Sequence, residues 1–241
     1  MLGVALVGYG KMGRQVEAKI KETKDIECVA IVSPSRTKTL DEVRAEIDVI
    51  IDFSHPDNLV MIGEYAKKHN IPIVIATTGY EQAQIDYINE LAGSVPVVYA
   101  ANFSLGVTVM TRVVSQLAEL LASDFDIEII ETHHNQKLDA PSGTAKMLLE
   151  AVDPAEEYSR VYGRKGDCKR KKEIGIHAIR AGNIAGKHTV LFAGEDETLE
   201  ITHTATSKQI FANGAIKAAR YAVTRPPGLY NMNHVLFKGE E

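Results

Sequence analysis

Residues Gly3 to Gly13 read GVALVGYGKMG: an apolar run, Gly3 to Val7, then the turn Gly8-Tyr9-Gly10-Lys11-Met12-Gly13, then Arg14 to Glu22 at amphipathic helical spacing. A Gly-x-Gly-x-x-Gly turn between a strand and a helix is the fingerprint of a dinucleotide site. The first glycine permits the tight turn, the second lets backbone approach a pyrophosphate, and the third lets helix and strand pack closely. The helix N-terminus adds N–H groups that favour an anion. Glycine spacing alone is weak; its place in a β-α-β pattern decides the reading.

The pattern continues outward from this stretch. Glu27 to Val32, Val49 to Phe53, Ile71 to Ala76 and Val95 to Ala100 are further apolar runs of strand length, and helical patterns run from Pro56 to about His69 and from about Glu81 to Ala92. Strands alternating with helices predict an α/β fold, a doubly wound Rossmann-type parallel sheet over residues 1–103. Ligands of such sheets bind beyond the carboxyl ends of the strands. Phe53-Ser54, Thr77-Thr78-Gly79 and Asn102-Phe103 fall there and are expected to line a nicotinamide pocket. The second strand ends at Ser33-Pro34-Ser35-Arg36, where an NAD-selective site would place an acid. Ser33, Ser35, Arg36, Lys38 and Lys11 suit a 2′-phosphate, because cations neutralise it and a carboxylate would repel it. NADPH is the expected cofactor, with NADH not excluded.

The second half changes character. Gly106 to Ala122 has helical apolar spacing, whereas Ile174 to Arg180, His188 to Ala193 and Thr198 to Thr204 are strand-like runs separated by glycine turns. Consecutive strands without helices between them predict a second, α+β domain carrying a mixed or antiparallel sheet, over 104–213. The helical pattern from Phe211 to Val223 returns the chain, so that 214–241 completes the first domain.

Within the second domain, Phe125 to Ile130 reads as a strand and Gly143 to Val152 as a helix with Ser142 at its N-cap. Between them runs Glu131-Thr-His-His-Asn-Gln-Lys-Leu-Asp-Ala-Pro-Ser-Gly-Thr-Ala145, which places two imidazoles and an ammonium beside a helix N-terminus. That combination suits a small anionic substrate that must receive a proton. A histidine with an ordinary pKa of about 6.5 can donate near neutrality, whereas a lysine at about 10.4 is a positive charge first. Adjacent residues on an extended chain point to opposite sides, so His133 and His134 would not share a metal ion, and none is expected. Ser142 lacks the Gly-x-Ser-x-Gly elbow of a nucleophile.

Composition narrows the classes further. The chain has 241 residues, 45% of them hydrophobic, and a net charge of −5, which argues against a nucleic-acid surface. The basic run Arg164 to Lys172 is expected to be a solvated loop. No apolar run approaches the roughly 18 residues of a membrane span, and Met1 to Gly8 has neither the basic segment nor the cleavage site of a signal peptide. Cys28 and Cys168 match no zinc or disulfide framework, so the cytoplasm is the expected compartment.

At this point the chain resembles the 4-hydroxy-tetrahydrodipicolinate reductase (dihydrodipicolinate reductase) family of lysine and diaminopimelate biosynthesis. That family's signature, E-x-H-H-x-x-K-x-D-A-P-S-G-T-A, is matched by Glu131 to Ala145 at every fixed position, with further matches at the glycine loop, Asp52-Phe53-Ser54, Thr77 to Gly79, Ala100 to Ser104 and Phe211 to Ala215. The resemblance implies an NAD(P)H-dependent reduction of a cyclic dicarboxylate with loss of water. It places His133 at the general acid/base position, Lys137 at the second catalytic position, and His134, Ser142, Gly143 and Thr144 at or beside substrate-binding positions. Gly8 to Gly13 match the pyrophosphate loop, and Ala76 to Thr78 with Ala100, Ala101, Asn102 and Phe103 match the nicotinamide side. It also implies domain closure and a homotetramer. One departure concerns the cofactor: many members carry Glu-Arg where this chain has Ser33-Pro-Ser-Arg36. Two rivals stand beside this reading, a nucleotide sensor without turnover and a two-domain dehydrogenase of a different substrate. Neither cysteine suits the nucleophile that the second would need.

Overall fold

The computed structural model describes residues 1–237 and 239. It contains β1 (Leu2–Val7), α1 (Lys11–Lys21), β2 (Ile26–Val32), β3 (Val49–Asp52), α2 (Leu59–His69), β4 (Ile73–Ile75), α3 (Gln82–Ala92), β5 (Pro96–Tyr99) and α4 (Leu105–Leu121). There follow β6 (Asp126–His133), α5 (Gly143–Val152), β7 (Ser159–Val161), β8 (Glu173–Arg180), β9 (Gly186–Ala193) and β10 (Thr198–Ala205). The chain closes with α6 (Gln209–Ala222), β11 (Gly228–Tyr230) and α7 (Met232–Leu236). It forms two compact units: one is Met1–Leu105 with the chain from Lys208 onward, the other Gly106–Ser207. No described helix is long and apolar enough to cross a membrane.

The first unit is built on a six-stranded sheet in the order β11-β5-β4-β3-β1-β2, parallel throughout. Its strands are continuous apolar runs because helices cover both faces. Val4, Leu6, Val49, Ile51, Val74 and Val98 meet Val16 and Ile20 of α1 and Ala215, Ala218 and Ala219 of α6 on one face. Ala5, Val7, Ile50, Ile73, Ile75 and Val97 meet Leu59, Ile62, Ile88 and Leu91 of α2 and α3 on the other. Each fully buried Val, Leu or Ile contributes about 1.5–3 kcal/mol relative to exposure. Alanines on the buried face of α6 let it lie close to the sheet; a Cβ on Gly214 would meet the Phe103 carbonyl oxygen at 1.7 Å. The parallel α/β reading of this region is met. Here α1 begins at Lys11, so the last three residues of the glycine motif form its first turn.

The second unit carries a five-stranded mixed sheet in the order β10-β9-β6-β8-β7. Here β6 pairs antiparallel with β9 and parallel with β8, and β10 pairs antiparallel with β9. Met110, Val114 and Ala118 of α4 and Leu148, Leu149 and Val152 of α5 bury one sheet face through Ile127, Ile129, Ile174, Ile176, Val190 and Phe192. β6 runs on to His133, beyond the strand expected at Phe125 to Ile130, and so carries the first motif histidine inside the sheet. The basic run is only partly a solvated loop. Arg164 grips both Glu128 (2.7 Å) and Glu173 (2.9 Å), and Arg170 bonds Asp126 at 2.8 Å. The same-face neighbours Glu128 and His177 are 2.7 Å apart.

Candidate active site

In the first unit the glycine loop separates three spatial roles. A Cβ on Gly8, whose φ is +92°, would lie 2.3 Å from the Phe53 carbonyl oxygen, and one on Gly13 would lie 2.1 Å from that of Gly8. Gly10 has nothing within 4 Å in the same direction, so its missing side chain leaves open space. Gly10 also caps α1 without a side-chain hydrogen bond, which leaves the first-turn amides for an anion. Next to the loop is a cavity of about 390 Å³ lined by Lys11, Met12, Phe53, Ala76, Ala101 and Phe103, with Lys208 and Phe211. The last two lie at the start of α6, more than a hundred residues from the others; the Phe-Ala-Asn-Gly-Ala match signalled Phe211, and nothing local signalled Lys208.

Ala100, Thr77, Thr78 and Asn102 lie outside that lining. Thr77 is buried, and its hydroxyl accepts from the Ser54 amide at 2.9 Å. Asp52, fully buried, accepts from the same amide at 3.0 Å and from the Tyr80 hydroxyl at 3.3 Å. Burial raises the Asp52 carboxyl pKa in spite of these donors. Asn102 accepts from the Ser104 amide at 2.8 Å, and Thr78 is exposed. These residues shape the turns at the strand ends.

At the far end of the loop, the Arg36 guanidinium stands 4.4 Å from the Tyr9 ring centroid and reaches its hydroxyl at 3.3 Å. Arg14 lies 5.2 Å from the same centroid. Ser33 is buried, with its hydroxyl 3.4 Å from that of Ser35. Glu17 accepts from Tyr9 and pairs with Lys21 at 2.7 Å, and these two bonds lower its pKa. An acid that the β2 end lacks is therefore supplied nearby by α1, already neutralised.

In the second unit the site follows from strand parity. On β6 the buried positions alternate through Ile127, Ile129, Glu131 and His133. Register places Ala178 and Arg180 beside Glu131 and His133 on one side, and His188 opposite Glu131 on the other. His203 lies opposite His188 on β10. One sheet face thus turns from an apolar core into a polar row: Arg180, Glu131 with His133, His188, His203.

Glu131 is fully buried and organises that row. It accepts both arms of Arg180 (2.8 and 2.9 Å), the Ser142 amide (3.0 Å) and His133 Nδ1 through a short contact. Burial would raise its pKa; the bonds from Arg180, His133 and Ser142 overcome burial and hold it below the ordinary value. Desolvation lowers His133, with Glu131 opposing in part. Desolvation, reinforced by repulsion from His133, pushes His188 down to about 4. The His133 and His188 rings meet edge to face at 5.0 Å, and His188 Nε2 lies 3.0 Å from Ser142 Oγ. Ser142 caps α5 by accepting from the Ala145 amide at 3.2 Å.

His134, one residue past the strand, leaves this buried row; its carbonyl accepts from the Lys137 amide at 3.1 Å. The Lys137 ammonium holds Asp139 at 2.7 and 2.9 Å. Gly143 and Thr144 form the first turn of α5, with Gly143 exposed. Glu131, His133 and His188 offer ligand atoms within 4.8 Å of one another. Both Glu131 oxygens are taken by a guanidinium, however, and that charge would repel a metal ion. Arg180 and His188 lie outside the long motif, and Glu131 is its first letter with no role given to it by the local sequence. The signal was parity: each stands in step with the buried isoleucines and valines of its own strand.

A glycine-loop parallel sheet in one unit and a polar, cation-bearing cluster on the mixed sheet of the other define a two-unit dinucleotide oxidoreductase. Family models described as dihydrodipicolinate reductase, N-terminus and C-terminus, match residues 2–103 and 106–236. A 4-hydroxy-tetrahydrodipicolinate reductase of Clostridium tetani is 43% identical, covering 98% of this chain and 97% of that one. Its counterpart from Brachyspira hyodysenteriae is 50% identical over 78% of this chain and 83% of its own. A dipicolinate-bound dihydrodipicolinate reductase from Paenisporosarcina sp. TG-14 superposes with a TM-score of 0.80 at 24% identity, covering 98% of this chain and all of that one. The chain belongs to the dihydrodipicolinate reductase family, oxidoreductases of lysine and diaminopimelate biosynthesis.

Proposed function

We propose that this chain reduces 4-hydroxy-tetrahydrodipicolinate to tetrahydrodipicolinate, with NADPH as the preferred nicotinamide cofactor and NADH accepted. The observation that carries the reading is the Glu131-centred cluster, which joins His133 to the N-terminus of α5 through Ser142. A ring diacid is the ligand that such a cluster suits, and the dipicolinate held by the Paenisporosarcina relative is of that kind.

The first unit fits a dinucleotide: open space at Gly10, an uncapped helix start and an apolar cavity beside them. Gly8 to Gly13 would hold the pyrophosphate, and Phe53, Ala76 to Thr78 and Ala100 to Phe103 the nicotinamide side. Ser33 and Arg36 would face the adenosine ribose, where the guanidinium on Tyr9 favours a 2′-phosphate. Bound there, the cofactor supplies the hydride that reaches ring carbon 4 once water has left.

The remaining work belongs to this chain's side chains. One substrate carboxylate meets the amides of Gly143 and Thr144 beside Ser142. The other draws the Lys137 ammonium from Asp139, with His134 beside it. His133 begins neutral, its Nδ1–H held by Glu131. A dianion nearby offsets the cations Lys137 and Arg180, which depress the imidazole, and so raises its proton affinity. His133 then takes up a proton from solvent at Nε2 and delivers it to ring carbon 3, returning to the neutral form. The cytoplasm is the compartment and a homotetramer the assembly; Ile179, exposed on the sheet face away from α4 and α5, suits a subunit contact.

The test follows NADPH absorbance with freshly generated synthase product. The wild type oxidises NADPH, and His133→Gln lowers turnover by about 10²-fold or more while NADPH affinity holds. Loss of NADPH binding in that variant would contradict the assignment.

A further inference from the structure

His188 is 4% exposed, its Nε2 lies 3.0 Å from Ser142 Oγ, and its Nδ1 has no hydrogen-bond partner among the described residues. A buried imidazole with a single partner has a tautomer that geometry can decide. A proton on Nδ1 would be a buried donor with nothing to receive it, and orphaned N–H groups are rarer and costlier than a bare acceptor lone pair. A proton on both nitrogens would add a charge facing His133, His203 and Lys137, with Glu131 alone in its favour. The neutral form with its proton on Nε2 remains.

That choice sets the direction of the next bond. Ser142 Oγ has one proton and two lone pairs. It already accepts from the Ala145 amide at 3.2 Å. If it also accepts from His188, both lone pairs are used and its own O–H must donate elsewhere. If it donated to His188 instead, no hydroxyl proton would be left for a ligand.

We propose that His188 is a positioning residue of the reduction: its Nε2–H donates to Ser142 Oγ, fixing the cap of α5 and turning the Ser142 hydroxyl proton toward the substrate carboxylate. The inference rests on the reading that a carboxylate meets the start of α5. It adds the residue that orients that contact from the opposite strand. His133 and Ser142 thereby share one buried frame, the first through Glu131 and the second through Glu131 and His188 together.

Replacement by Gln, Asn and Leu separates the roles. The Gln amide nitrogen reaches the Nε2 position and keeps the donor, the Asn amide reaches only the Nδ1 position, and Leu keeps bulk alone. Steady-state kinetics with the diacid, NADPH titration by fluorescence and thermal melting are measured for each. His188→Leu and His188→Asn raise the diacid KM roughly tenfold, the scale of one hydrogen bond to a charged group. In both, kcat and NADPH affinity stay within about twofold, and His188→Gln restores KM to within about threefold. If His188→Leu does not fold, His188→Asn carries the comparison. Ser142→Ala combined with His188→Asn gives less than the product of the single effects, because both remove one contact. An active wild type whose Gln and Asn variants share one KM, or whose double variant is multiplicative, overturns this inference alone. A wild type that leaves NADPH unoxidised overturns it together with its parent reading.

Discussion

Acidification should weaken this protein through His188 before its carboxylates titrate. The group is neutral and buried in the native chain with a pKa near 4, against 6.5 when free. Between those values the unfolded chain binds a proton that the native chain refuses, so stability falls as pH drops through 6.5 and levels off below about 4. At about 1.4 kcal/mol per pKa unit the full effect is about 3 kcal/mol. About 2 kcal/mol of it is already lost at pH 5. His133 and His203 are depressed by the same desolvation and act in the same direction. The assay is urea unfolding at pH 7.5 and pH 5 for the wild type and His188→Gln. With a slope of about 2–3 kcal/mol per molar urea, the wild-type midpoint falls by roughly 1 M, and the variant loses less than half of that. Comparing the two chains cancels the surface carboxylates common to both. Equal losses in both would refute the reasoning, since the amide cannot titrate.

Glu131→Gln keeps the volume but sets an amide donor against Arg180; with Arg180 partly exposed, the loss is about 2–4 kcal/mol, or a melting temperature roughly 5–12 °C lower by calorimetry. An unchanged melting temperature would show the cluster contributes nothing to folding. Gly10→Ala and Gly13→Ala separate room for ligand from room for backbone. The first melts within about 2 °C of the wild type yet binds NADPH roughly tenfold more weakly, whereas the second, 2.1 Å from a carbonyl oxygen, melts markedly lower. Full NADPH affinity in Gly10→Ala would remove the phosphate loop from that turn. Arg36→Ala raises the NADPH KM roughly tenfold with little change for NADH, and parallel changes for both cofactors would move discrimination elsewhere.

The sequence by itself determined the architecture of the first unit and the family to which the long motif belongs. Apolar runs such as Val49 to Ile51 are legible because strands buried on both faces need no alternation, and Gly8 and Gly13 answer to the turn itself, through a φ of +92° at the first and the Gly8 carbonyl oxygen against the second. Ser142 was readable as a cap for the same reason: capping is settled within a few residues. What tertiary structure decided is how distant residues share one face. Glu131 pairs with Arg180 from β8 and stands opposite His188 of β9, and Lys208 and Phe211 close a cavity begun at Lys11. Strand register and the return of α6 set those meetings, and register depends on whole sheets burying their apolar faces. The same packing supplies the desolvation that keeps three histidines neutral, a property no local stretch of sequence contains.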